Sequence, residues 1–189
     1  MRAVVLGGTF NPVHYGHLFI AEEVRIDFGY DVAILVPANQ PVHKDPSPLI
    51  DGCHRLEMLR RAVEEGGSLL VEPCEIERGG PSYSVDTIEV LVRRYGIDGK
   101  PGFIIGDDLA AGFSTWKDAE RLSRSVDLYV ARRTLEGSVR LEFPHRSVAN
   151  TVLPISSSEI RRRISEGRAV RFLLPDEVLA YIKENNLYG

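Results

Sequence analysis

A chain of 189 residues that is 43% hydrophobic and 26% charged can bury a core without disulfide or metal staples, and it is expected to form a single domain over residues 1–189. Lysine and arginine number 23 against 27 aspartates and glutamates, and the net charge of −4 argues against a nucleic-acid or anionic-membrane partner. No apolar run approaches the ~18 residues of a bilayer span, and the run Ala3 to Leu6 ends at Gly7-Gly8 with no secretory pattern, so the expected location is cytoplasmic.

Short β-branched runs alternate with segments of helical period, the pattern of a parallel sheet covered by helices. Residues 3–6 read as the first buried strand. Leu18, Ala21, Val24 and Phe28 then recur near the 3.6 period, with Gly29 as a stop. Residues 32–36 read as a second strand, closing a βαβ unit. Four prolines between residues 37 and 48 predict a loop there. Helices are predicted over 51–65 and 85–95, the second with Ser84 as N-cap, and strands over 102–105 and 127–131. Ser156 and Glu159 have capping-box spacing before Ile160 and Ile164. Pro175, expected in a first turn, precedes Val178, Leu179 and Ile182 of a last amphipathic helix, so residues 155–189 form a helical portion. Cys53 and Cys74 match no zinc or redox spacing, and both are expected to be buried. The fold class is therefore α/β: Rossmann-like and doubly wound, with a mostly parallel sheet and helices on both faces.

The segment Gly7 to His17 joins the first strand to the first helix, where a doubly wound sheet binds ligands. Gly7 and Gly8 allow a phosphate to approach the backbone, and the free N–H groups of a helix start favour an anion. His14 and His17 are three apart, so both rings can face one anion. The dinucleotide fingerprint and the Gly-Lys-Ser/Thr phosphate loop are both missing. Two histidines without a recognisable third ligand make zinc a poorer reading than phosphate. A second set of anion donors is expected at the serine-rich helix start of Ser156 and Ser157, with Arg161 one turn in. Arg162, Arg163, Arg168 and Arg171 spread around the axis and are expected to be mostly solvated.

Gly8-x-Phe10-x-Pro12-x-His14-x-Gly16-His17 resembles the first signature of the His-x-Gly-His nucleotidyltransferase superfamily. Over nearly the whole chain the sequence is similar to the bacterial nicotinate mononucleotide adenylyltransferases. The supporting motifs are Pro41-Val42-His43-Lys44, Ser82-Tyr83-Ser84-Val85-Asp86-Thr87, Phe103 to Leu109 followed by Trp116, and Ile155-Ser156-Ser157-Ser158-Glu159-Ile160-Arg161. Asn11, Ser84 and Ser158 depart from the residues frequent in that family while keeping hydrogen-bonding capacity.

The resemblance implies transfer of the adenylyl group of ATP to nicotinate mononucleotide, a step of NAD biosynthesis that releases pyrophosphate, with Mg2+ carried on the ATP. It implies that His14, His17, Lys44 and Arg161 are catalytic. It places ATP against Gly7, Gly8, Thr9, Phe10, His14, His17, Gly106, Asp108, Arg133, Ile155, Ser156, Ser157 and Arg161. It places the mononucleotide against Thr9, Lys44, Tyr83, Ser84 and Trp116, with Trp116 stacking on the pyridine ring and N–H groups near Tyr83, Ser84 and Trp116 receiving the nicotinate carboxylate. His14, His17, Lys44, Arg133 and Arg161 would supply the protein's positive charge. The alternatives are an adenylyltransferase for nicotinamide mononucleotide or phosphopantetheine, and a non-catalytic nucleotide sensor. Homo-oligomer formation stays open.

Overall fold

A computed structural model of the chain describes residues 1–42, 49–133 and 141–189. β1 (Ala3–Gly8) is followed by α1 (Tyr15–Asp27), β2 (Val32–Pro37), β3 (Gln40–Pro41), α2 (Gly52–Ala62), β4 (Leu69–Val71), α3 (Cys74–Arg78), β5 (Pro81–Ser82) and α4 (Ser84–Tyr95). Then come β6 (Gly102–Gly106), α5 (Asp107–Ala110), a 3-10 turn (Phe113–Thr115), α6 (Ala119–Ser125), β7 (Asp127–Ala131), β8 (Arg146–Ser147), α7 (Ser157–Ser165) and α8 (Asp176–Glu184). Six strands form one sheet in the order β4-β2-β1-β6-β7-β8. Every pairing described in it is parallel. The strand order reverses direction between β1 and β6, the place where such sheets open a crevice at the strands' carboxyl ends.

Residue parity along the strands builds two cores. Val4, Leu6, Ala33, Leu35, Ile104 and Tyr129 face one side with α1, α2, α7 and α8 packed on them. Val5, Ile34, Val36, Phe103, Ile105 and Val130 face the other, under α4 and α6. Both faces are therefore dry, which explains why these strands read as continuous apolar runs rather than alternating ones.

Several boundaries differ from the sequence reading. β1 runs on to Gly8 and so carries its ladder into the glycine pair. α2 stops at Ala62. The residues expected to form only a loop after Val36 include β3, which pairs in parallel with β5 as a separate two-stranded sheet. Pro175 is the N-cap of α8 rather than a residue of its first turn. α4 begins at Ser84 with Tyr83 as its cap residue, so Ser84 is not the predicted N-cap. Cys74 is buried as expected, but Cys53 is exposed in the first turn of α2.

Candidate active site

The connection from β1 to α1 is shaped by two close approaches. Phe10 adopts a left-handed φ of 47°, uncommon for a bulky residue. This conformation folds its ring beneath the preceding turn, where a Cβ on Gly8 would stand 3.1 Å from Phe10 Cζ. Gly7 is exposed, and a Cβ there would meet nothing within 4 Å. The second approach is at Gly16, where a Cβ would lie 3.1 Å from Cε1 and Nδ1 of His14. The glycine of His-x-Gly-His thus leaves room for the first histidine's ring.

His14 is the N-cap residue of α1 and His17 lies in its first turn. Their rings stack with centroids 3.7 Å apart and planes inclined by 26°, and Phe10 meets His17 edge-on at 4.9 Å. His14 is only 2% exposed, and neither of its ring nitrogens has a hydrogen-bond partner among the described residues. Burial, assisted by the positive charge of Arg133, pulls the His14 imidazole from 6.5 down to about 3. In the ligand-free protein His14 is therefore a neutral ring with one N–H to donate.

Two further segments meet this turn. Ser157 Oγ donates to the Pro12 carbonyl at 2.8 Å, and Arg161 Nη1 donates to the Asn11 carbonyl at 2.8 Å. Ile155 approaches Gly16. Ser156 caps α7 by accepting from the Glu159 N–H at 3.2 Å. Only half of the predicted capping box forms, because the Glu159 carboxylate pairs with Arg162 and Arg163 instead. From the end of β7, Arg133 Nη1 donates to Asp108 Oδ2 at 2.9 Å and its N–H to Asp107 Oδ1 at 3.2 Å. A Cβ on Gly106 would collide with Asp108 Oδ1 and sit 2.8 Å from Arg133 Cδ, so the glycine permits this pair to form over the end of β6.

Tyr83, Ser84 and Trp116 form a separate group on the opposite face of the sheet. Trp116 is 9% exposed and packs against Phe103 and Phe113, at 6.3 and 5.1 Å between centroids. Its backbone N–H donates to the Phe113 carbonyl at 3.0 Å. α4 starts without a side-chain cap, which leaves first-turn N–H groups of Ser84 and Val85 as donors. Lys117 lies 4.5 Å over the Tyr83 ring and pairs with Asp86, adding a cation that the sequence reading did not single out. Lys44 lies outside the described residues.

The sequence reading also missed the supports beneath the turn. Arg55, 1% exposed on α2, donates to the carbonyls of Ile50, Thr9, Ala38 and Asn39. The Asn39 N–H in turn donates to Ser82 Oγ at 2.9 Å, and its side-chain amide donates to the Gly80 carbonyl. One guanidinium thereby links the β1–α1 turn to the strand pair beside Tyr83. Tyr188 Oη donates to Asn11 Oδ1 at 2.7 Å. A charged residue at a core position of a helix and an aromatic far along the chain carry no local sequence signal for such contacts. Among the described residues no group of three or more His, Cys, Asp or Glu side chains could hold a metal ion, and no helix is long and apolar enough to cross a membrane.

Residues 5–163 match the family model described as cytidylyltransferase-like. Over 188 residues the chain is 44% identical to a protein of Borrelia garinii subsp. bavariensis named as a probable nicotinate-nucleotide adenylyltransferase, covering all of this chain and 95% of that one. A protein of the same name from Borreliella burgdorferi is 43% identical over 188 residues, with 100% and 97% covered. Among solved structures, the Plasmodium falciparum nicotinic acid mononucleotide adenylyltransferase complexed with NaAD shares the fold with a TM-score of 0.77 at 17% identity, covering 100% of this chain and 98% of that one.

Proposed function

From the premise that the chain belongs to the cytidylyltransferase-like family, and within it to the nicotinate-nucleotide adenylyltransferases, we propose how its own residues divide the work of one reaction. The protein transfers the adenylyl group of ATP to nicotinate mononucleotide. The mononucleotide's 5′-phosphate oxygen attacks the α-phosphorus, the new bond gives nicotinate adenine dinucleotide, and the bond to the β-phosphate breaks to release pyrophosphate.

The observation that carries the assignment of roles is the placement of two residue groups over opposite faces of the sheet at its switch point. Phe10, His14, His17, Ile155 and Arg161 gather beside the β1–α1 connection, with Asp108 and Arg133 over the end of β6. Tyr83, Ser84 and Trp116 gather at the start of α4. ATP takes the first group and the mononucleotide the second, so the reacting phosphates meet between β1 and β6.

A phosphate monoester is already anionic near neutral pH, so it needs no enzyme base to attack. The protein's task is positioning and charge stabilisation. His14 donates an N–H to a phosphate oxygen, and the arriving negative charge favours its protonated form, opposing the burial that keeps it neutral. Arg161, Arg133 and Lys44 supply permanent positive charge. The uncapped start of α4 suits a carboxylate better than a neutral carboxamide, which gives a physical basis for choosing the acid form of the mononucleotide. Magnesium arrives on the triphosphate, held through phosphate oxygens and water. Among the described residues no group of three or more His, Cys, Asp or Glu side chains is placed to build a magnesium cage.

The test is pyrophosphate release measured side by side with nicotinate and nicotinamide mononucleotides. A kcat/KM at least ~10-fold higher for the acid is expected from the preference of helix-start donors for charge. Equal values would remove the α4 start as the carboxylate site, and release with neither substrate would reject the reaction.

A further inference from the structure

We propose that Tyr188 is a positioning residue for adenylyl transfer: its hydroxyl fixes Asn11, and the main-chain carbonyl of Asn11 in turn orients Arg161. The inference rests on the reading of Arg161 as a phosphate-contacting residue. The contacts form a short chain of hydrogen bonds, 2.7 Å from Tyr188 Oη to Asn11 Oδ1 and 2.8 Å from Arg161 Nη1 to the Asn11 carbonyl. Asn11 is 2% exposed, so water cannot readily replace a lost partner.

Three observations separate this contact from an incidental one. Tyr188 is held at a φ of 68°, a backbone conformation that a bulky residue adopts only when its surroundings impose it. Leu187 anchors the same segment in the core that also contains Phe10, Val13 and Ile160, so the phenol is delivered from a packed base. Burial pushes the phenol's pKa upward even though Arg161 and Arg55 both act on it in the opposite direction, and it therefore stays a neutral donor at working pH. The two arginines flank it with different tasks. Arg55 is engaged with four backbone carbonyls including that of Thr9, whereas among the described residues Arg161 reaches the Asn11 carbonyl and, at 3.4 Å, Ser158 Oγ. Arg161 can therefore turn toward a phosphate from a fixed pivot, and Tyr188 keeps that pivot still.

Tyr188→Phe retains the ring and its packing and removes only the donor. Steady-state pyrophosphate release and thermal unfolding are measured for Tyr188→Phe, Arg161→Ala and the double variant. Tyr188→Phe is expected to lower kcat about 10-fold with KM for the mononucleotide unchanged, and to have less than a ~2-fold effect once Arg161 is alanine. A purely structural role would give the same factor in both backgrounds, and that result overturns the inference. So does a Tyr188→Phe kcat within ~2-fold of the parent alongside a clear loss in Arg161→Ala. Parental kcat in Arg161→Ala alone instead rejects the role of Arg161, and the route through it.

Discussion

The rings of His14 and His17 lie face to face, 3.7 Å between centroids, with His14 the buried member of the pair. Two imidazolium ions at that separation would repel, so the stacked arrangement favours a neutral His14 in the ligand-free protein.

Replacing either histidine by alanine should lower kcat by roughly 10² or more, the scale of losing one preorganised donor. Since the rings support each other, the double variant should lose far less than the product of the single effects. Pyrophosphate release from correctly folded variants checks this. Full multiplicativity would show that the two rings act independently.

Stability should depend on His14 as pH falls. Its folded value of about 3 lies below the ordinary 6.5, so the unfolded chain takes up the proton first. The contribution is complete above 6.5 and is lost progressively as pH drops toward 3, amounting to about 2 kcal/mol by pH 5. Urea denaturation of the parent and of His14→Gln between pH 8 and 4 measures it. The variant should show the shallower decline, and parallel curves would contradict the burial argument.

Trp116 requires a mild substitution. Its packing on Phe103 and Phe113 means that alanine would cost about 3–5 kcal/mol of stability and confuse any binding effect. Trp116→Phe should instead raise KM for nicotinate mononucleotide several-fold while leaving KM for ATP near its parental value. Equal rises for both substrates would point to a disturbed fold.

Arg55→Met should destabilise the protein by about 3 kcal/mol or more, because four carbonyls lose a shared donor in a dry site. The midpoint of urea unfolding reports the loss. A midpoint equal to the parent's would mean that water takes over the guanidinium's bonds.

The legible parts of the molecule were those whose chemistry repeats locally. β1, β2, β6 and β7 announce themselves as apolar runs because both faces of the sheet are covered. The glycine pair and the spacing of His14 and His17 pointed to the carboxyl end of β1, where the structure places them. β4, α3 and β8 have three, five and two residues, too few for a period to be read. Ser84 was misplaced by one position because a serine before an apolar helix satisfies the usual capping pattern. Arg55 escaped notice because a charge in a helix normally faces water, and its four acceptors come from segments far apart in sequence.

β1 is clasped on both edges by parallel neighbours, and its alternate side chains are sunk into separate layers of packing. Val4 to Leu6, paired on both edges, cannot slide or tilt without dislodging both halves of the interior, and they fix the point from which Gly7 and Gly8 emerge. On the proposed assignment, the triphosphate meets a receptacle whose base was settled during folding, and little of its binding energy is consumed in moulding the backbone.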